Sequence, residues 1–274
     1  MVIVMDKMEQ QQLLLEIEKL NKAQVRIKRK TTFMLCVIAL LVLITSTMAW
    51  FTLNSFASVE NIQMDITTGV DLRVDMENHG SDIELYKKEI TNEMINSYLS
   101  SKSKDALAQQ LLDPVTTRDG ISFSSENGSA RNANEDTFLE FECYFIASKD
   151  MWVHLSSDDA NDMEGTLVST TESGLKAEIV QALRLSFEDS GSAAIYEPNK
   201  TTAVNGQTTF DLQTPMVYSN DTRLFHLDEL QPKKVTIRLW AEGNDPQCDN
   251  DVQDANLTVR LLFSGTDENN VSFG

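Results

Sequence analysis

The chain has 274 residues and a formal net charge of −19. The charge is unevenly divided: residues 1–31 hold seven Lys or Arg against four Asp or Glu, a net of +3, whereas residues 52–274 hold 16 against 38, a net of −22. So acidic a C-terminal portion repels nucleic acid and anionic lipid, which excludes both as partners of its surface.

At the N-terminus, Leu13, Ile17, Leu20 and Ile27 recur at helical steps with Glu16, Glu18, Lys19 and Lys22 between them, so residues 1–31 read as an amphipathic helix with a basic flank. It covers only about two heptads, too little to imply a stable coiled coil. A juxtamembrane helix running into an apolar span is the plainer reading, and a cytoplasmic partner or self-association is the other. The flank Arg26, Lys28, Arg29 and Lys30 is followed by residues 32–51, which carry no charge. About 20 apolar residues at roughly 1.5 Å each match a hydrocarbon core of about 30 Å. A single transmembrane helix is expected there, in contact with the lipid bilayer. The cations lie inside, Trp50 sits at the interface, and residues 52–274 are extracellular. A signal core is the alternative, because Thr47-Met48-Ala49 and Ser55-Phe56-Ala57 place small residues at signal-peptidase spacing, with cleavage after Ala49 or Ala57.

Beyond the span the period changes to two. Ile62, Met64 and Ile66 alternate with polar residues, as do Val70, Leu72, Val74 and Met76, which predicts strands with one wet face. Further strands are expected at 137–147, 151–155, 182–187, 194–196, 235–241 and 256–263. Turn clusters separate them, among them Asn78-His79-Gly80 and Glu188 to Gly191. A helical insertion is expected at 82–112, broken near 100–104 and packed on the rim, with a short helical turn at 174–180 leading into the next strand. The fold class is therefore mainly β: an antiparallel jelly-roll-like β-sandwich with a helical insertion, preceded by one N-terminal transmembrane or signal helix.

Several local segments carry a resemblance. Met48-Ala49-Trp50-Phe51-Thr52 looks like the Ala-aromatic-Phe-Ser/Thr junction of certain secreted precursors. Leu112-Asp113-Pro114-Val115-Thr116 with Asp119-Gly120, Leu183 to Phe187, Ile195 to Asn199, and Ile237 to Trp240 running on to Cys248 look like segments of the same group. On these the chain resembles the TasA- and camelysin-like secreted β-sandwich surface proteins of Gram-positive bacteria. The resemblance implies export to the cell surface and, in some relatives, assembly into biofilm-matrix fibres. Two features depart from it: the leader is longer than in those precursors, and the insertion at 82–112 is not part of the minimal fold.

Cys36 lies in the apolar span, where a thiol behaves as a small apolar group. Cys143 and Cys248 form an even pair outside it, so a disulfide and a pair of free thiols are both open readings. Catalytic motifs are lacking: His79, His154 and His226 stand in no HExxH or other zinc spacing, and no GxSxG, GxGxxG or P-loop occurs. Calcium is the better chemical possibility, since Asp245, Asp249 and Asp251 crowd one loop with Glu242, Asn250 and Asp254. Asp158, Asp159, Asp162 and Glu164 form a second acidic cluster, and solvated loops explain both equally simply. Trp152 and Trp240 lie in β-rich runs and serve either core packing or sugar stacking.

The expected function is a non-enzymatic cell-surface structural protein, a biofilm-matrix or fibre subunit assembling by β-strand addition through Ser58 to Ile66. A carbohydrate- or calcium-binding envelope module is the alternative, and a surface peptidase the third.

Overall fold

The computed structural model describes residues 57–67, 71–125, 128–133, 137–157, 165–198 and 207–273, together with residues 15–38 apart from 17, 23, 25 and 27. The chain divides into two compact units, Met1–Asn54 and Ser55–Gly274. In the first, the described residues between 15 and 38 are helical, with a Glu18–Lys22 pair one turn apart. Residues 39–51 of the expected span lie outside the described residues. Among the described residues no helix is long and apolar enough to cross a membrane. Ile17 and Ile27, expected on the apolar helical face, also lie outside.

The second unit is mainly β, with mixed sheets and few helices. Its strands are β1 (Ala57–Ile66), β2 (Leu72–Asp75), β3 (Glu89–Ile90), β4 (Phe123–Ser124), β5 (Ala130–Arg131), β6 (Leu139–Ala147), β7 (Met151–Leu155), β8 (Leu167–Ser169), β9 (Leu183–Asp189), β10 (Ser192–Tyr196), β11 (Thr209–Phe210), β12 (Arg223–Leu227), β13 (Lys233–Ala241) and β14 (Ala255–Thr266). One sheet runs β12-β7-β14-β1-β3, with β8 also on β14; the other runs β11-β10-β9-β13-β6-β2. The expected all-antiparallel arrangement needs correction, because β1 pairs parallel with β14 and β11 parallel with β10.

Alternating apolar side chains explain most of the core. β6 buries Leu139, Phe141, Cys143 and Phe145 on one face, and β14 buries Leu257, Val259, Leu261 and Phe263. Rings from the two sheets meet: Phe145 lies 5.0 Å from Phe225 and 5.1 Å from Phe263, and Phe187 lies 5.9 Å from Phe263. These separations suit tilted and edge-on aromatic packing. The β9–β10 hairpin closes through Ser190 and Gly191, whose positive φ values of 52° and 85° match the right-handed strand twist that a two-residue loop must accommodate.

The segment 82–112 is less helical than expected. It forms a 3₁₀ turn at Ile83–Leu85, strand β3, a ten-residue helix at Asn92–Ser101 and a second 3₁₀ turn at Leu107–Gln109. Ile90, Ile95, Leu99, Leu107 and Leu112 are fully buried, and the segment lies along the outer edge of β1. The helical turn expected at 174–180 is present as Gly174–Glu178 and Ile179–Ala182, leading directly into β9.

Candidate functional site

β1 occupies a slot that is closed on both sides. On one side nine residue pairs join it to β14, from Ala57 opposite Ala255 to Ile66 opposite Phe263. On the other, its backbone is met at three places by residues 88–112. The Leu112 amide donates to the Ala57 carbonyl at 2.8 Å, and the Ile66 amide donates to Lys88 at 3.1 Å beside the two-residue pairing with β3. Between these points the Asn92 side chain accepts from the Ile62 amide at 3.2 Å and donates to the Glu60 carbonyl at 3.3 Å. A carboxamide carries both donor and acceptor, so a single side chain here does the work of a neighbouring strand.

The middle of β1 carries a bulge. Val59 pairs with Leu257 and Asn61 with Thr258, which leaves Glu60 without a partner on β14. The reason lies in the apolar spacing. Val59 and Ile62 are three residues apart and both are buried, whereas their partners Leu257 and Val259 are two apart. Strict alternation would turn one of the first pair outward. An extra residue restores the phase, and Glu60 projects into solvent.

A buried charge network lies elsewhere, at the end of β9. Arg184 is wholly buried and donates to Glu197 at 2.7 Å, to Asp245 and to the carbonyls of Gln181 and Leu183. Glu242 is also wholly buried and accepts from Trp240 Nε1 at 3.1 Å, from Gln207 at 2.7 Å and from the Asn244 amide at 3.2 Å. Buried charges persist only when paired or hydrogen-bonded in this way. The network ties β9, β10 and the loop after β13 together.

This network accounts for part of the expected calcium set. The Asp245 carboxylate is engaged by Arg184, whereas Asp249 accepts from the Asp251 amide at 2.8 Å and both Asp249 and Asp251 are exposed. The three do not converge. Among the described residues no group of three or more His, Cys, Asp or Glu side chains is arranged to hold a metal ion. Asp158, Asp159, Asp162 and Glu164 lie outside the described residues.

Cys143 and Cys248 are free thiols, as is Cys36. Cys143 stands opposite Val235 near the start of β13, and Cys248 follows the far end of that strand. Val235 and Ala241 stand six positions apart on β13, about 20 Å at strand rise, against the roughly 4.4–6.8 Å between Cα atoms that a bridge requires. Burial pushes both thiols well above the usual range, with Asp75 acting in the same direction on Cys143 and Asp245 on Cys248.

Of the two tryptophans, Trp240 is fully buried against Val115, Phe123, Phe138 and Ile195, so sugar stacking there is overturned. Trp152 is partly exposed; Arg223 stacks 4.5 Å from its ring and its Nε1 donates to Glu268 at 3.3 Å. His154 is fully buried, with Nδ1 3.0 Å from the Thr222 hydroxyl and Nε2 3.0 Å from that of Thr266. Burial first of all, opposed by the Thr222 hydrogen bond and reinforced by the charge of Arg223, pushes its pKa down to about 4. The ring is a neutral strut between two strands and the 3₁₀ turn before β12.

Of the two expected cleavage positions, Ala49 lies outside the described residues. Ala57 is buried as the first residue of β1, with its carbonyl bound by Leu112. A protease reaches that bond only when β1 is out of its slot.

Sequence reading missed Asn92, the bulge at Glu60 and the Arg184 network. The three-residue gap between Val59 and Ile62 is the one sequence signal that marks the bulge. Comparison with family models, with curated proteins and with solved structures finds no match to this chain.

Proposed function

We propose that this chain is a non-enzymatic structural protein of the cell surface, a jelly-roll-like β-sandwich delivered or anchored by residues 32–51, which assembles by passing its first strand between copies. One observation carries the reading: the first strand of the folded unit fills a slot between the last strand and the segment 88–112. A second copy owns an identical strand and an identical slot. Exchange of identical elements needs no new interface chemistry, because the contacts already satisfied within one copy are remade between two.

Other features support the placement. Phe33, Met34, Leu35, Val37 and Ile38 are exposed on the N-terminal helix directly after the basic flank, as expected of a segment that lipid covers. The junction at Ala49 leaves β1 whole, so processing there yields a unit with its strand intact and no longer joined to the apolar span. The likeness of residues 48–52 to the junction of the TasA- and camelysin-like precursors points to the same cell-surface setting. Against a peptidase, His154 is spent on two hydroxyls, and Glu197 and Asp245 are spent on Arg184.

A register-specific cross-link tests the exchange. Asn61 and Thr258 are paired residues on β1 and β14. One population of full-length chain carries Asn61→Cys and another Thr258→Cys, both with Cys36→Ser; the two are mixed and oxidised. Disulfide-linked dimers on non-reducing gels are expected. A double variant within one chain reports the register in cis. Linkage confined to the double variant, at concentrations where the wild type forms assemblies, would refute strand exchange.

A further inference from the structure

We infer that Asn92 is the residue that reads strand register in the β1 slot, and that the strand it accepts is one bulged at position 60, which makes a second copy of this chain the fitting partner. This rests on the exchange reading above. The argument starts from what a slot between strands can recognise. Ladder hydrogen bonds to β14 are made by backbone, so almost any extended segment can form them. The buried side chains Val59, Ile62, Met64 and Ile66 add size and apolarity, which many strands share.

The bulge is different. It makes Val59 and Ile62 point inward together although they are three residues apart. At that same point the outer edge of the slot is lined by a side chain and not by backbone: the Asn92 amide grips the Glu60 carbonyl and the Ile62 amide, the groups on either side of Asn61. Asn92 is itself held in place. It is the first residue of the helix Asn92–Ser101, whose Ile95 and Leu99 are fully buried, and Asn96 one turn later accepts from the Leu107 amide at 2.8 Å. A fixed carboxamide at one point of the edge acts as a gauge. A strand with one residue fewer before Ile62 can engage β14 but brings a different carbonyl to Asn92.

The test mixes full-length chains carrying the Asn61→Cys and Thr258→Cys pair. Donors have either the native strand or a strand lacking Glu60, and acceptors carry Asn92 or Asn92→Ala. Native acceptors are expected to cross-link the native donor in preference to the shortened one. Losing two hydrogen bonds should cut that preference by about 10-fold in Asn92→Ala acceptors. A preference that Asn92→Ala leaves unchanged, or that is absent from native acceptors, overturns the assignment.

If no cross-link forms between copies, strand exchange fails and hydrogen exchange within single chains decides the role of Asn92. Asn92→Ala should then speed exchange of the Ile62 amide about 10-fold while leaving Met64, beside β3, protected. Asn92→Asp, which keeps the acceptor, should restore most of the Ile62 protection. Equal effects on Ile62 and Met64 would show a merely structural helix start and sink the inference.

Discussion

Replacing Arg184 with methionine is expected to lower the unfolding free energy by about 3–5 kcal/mol, the range for breaking one side of a buried ion pair. The guanidinium has no exposed surface, and its partners Glu197 and Asp245 are almost as deeply buried. Methionine fills much of the volume but donates nothing. Two carboxylates and the carbonyls of Gln181 and Leu183 then stay buried without their donor. The cost arises from leaving partners unpaired and not from a large net gain of the native pair. Changing all three charged residues together, as Arg184→Met with Glu197→Gln and Asp245→Asn, should therefore recover part of the loss. Urea unfolding of wild type, Arg184→Met and the triple variant measures this. A single Arg184→Met variant within about 1 kcal/mol of wild type would show that the charges are solvated rather than paired.

Acidification should produce the second large effect, through His154. In the unfolded chain this imidazole titrates near 6.5, whereas in the fold burial pushes it down to about 4. Between those values the unfolded chain holds a proton that the folded one does not, so stability falls as the pH drops. Above pH 6.5 both states are neutral and His154 contributes no slope. Across the window the loss sums to about 3 kcal/mol at roughly 1.4 kcal/mol per unit. His154→Gln keeps an amide between Thr222 and Thr266 and has no proton to gain. Denaturant midpoints at pH 7 and pH 4 should therefore separate by about 3 kcal/mol more in wild type than in the variant. Parallel losses would assign the acid sensitivity to the carboxylates instead.

Strands that bury one face and wet the other were legible. β6, β7, β13 and β14 begin or end within about two residues of the expected runs, because period-two alternation records which side of a strand meets the core. β12 and β8 escaped notice: Arg223–Leu227 and Leu167–Ser169 are short and alternate poorly. At β13 the pattern fails for a further reason. From Ile237 to Ala241 every residue is buried, since Val115, Phe123 and Phe138 cover its second face around Trp240. On alternation alone a tryptophan at this position is nominally outward and suits sugar stacking, whereas in the fold that face is covered. The acidic loop at 242–254 was equally ambiguous, because Asp245 finds its cation 61 residues away in sequence.

By itself the sequence determined the apolar stretch behind a basic flank, the mainly β character of the second unit and a turn within Glu188 to Gly191. Each is a local property: hydropathy over 20 residues, alternation over five to ten, or a φ preference at one or two positions. Only the tertiary structure decided that β1 lies parallel to β14, that segment 88–112 clasps its outer edge through Asn92, and that Arg184 gathers Glu197 and Asp245. Alternation specifies the face a strand turns to the core but leaves its neighbour open. The pairing of Ser58 with Asn256 is chosen when the whole apolar surface is buried together, and no local preference encodes it.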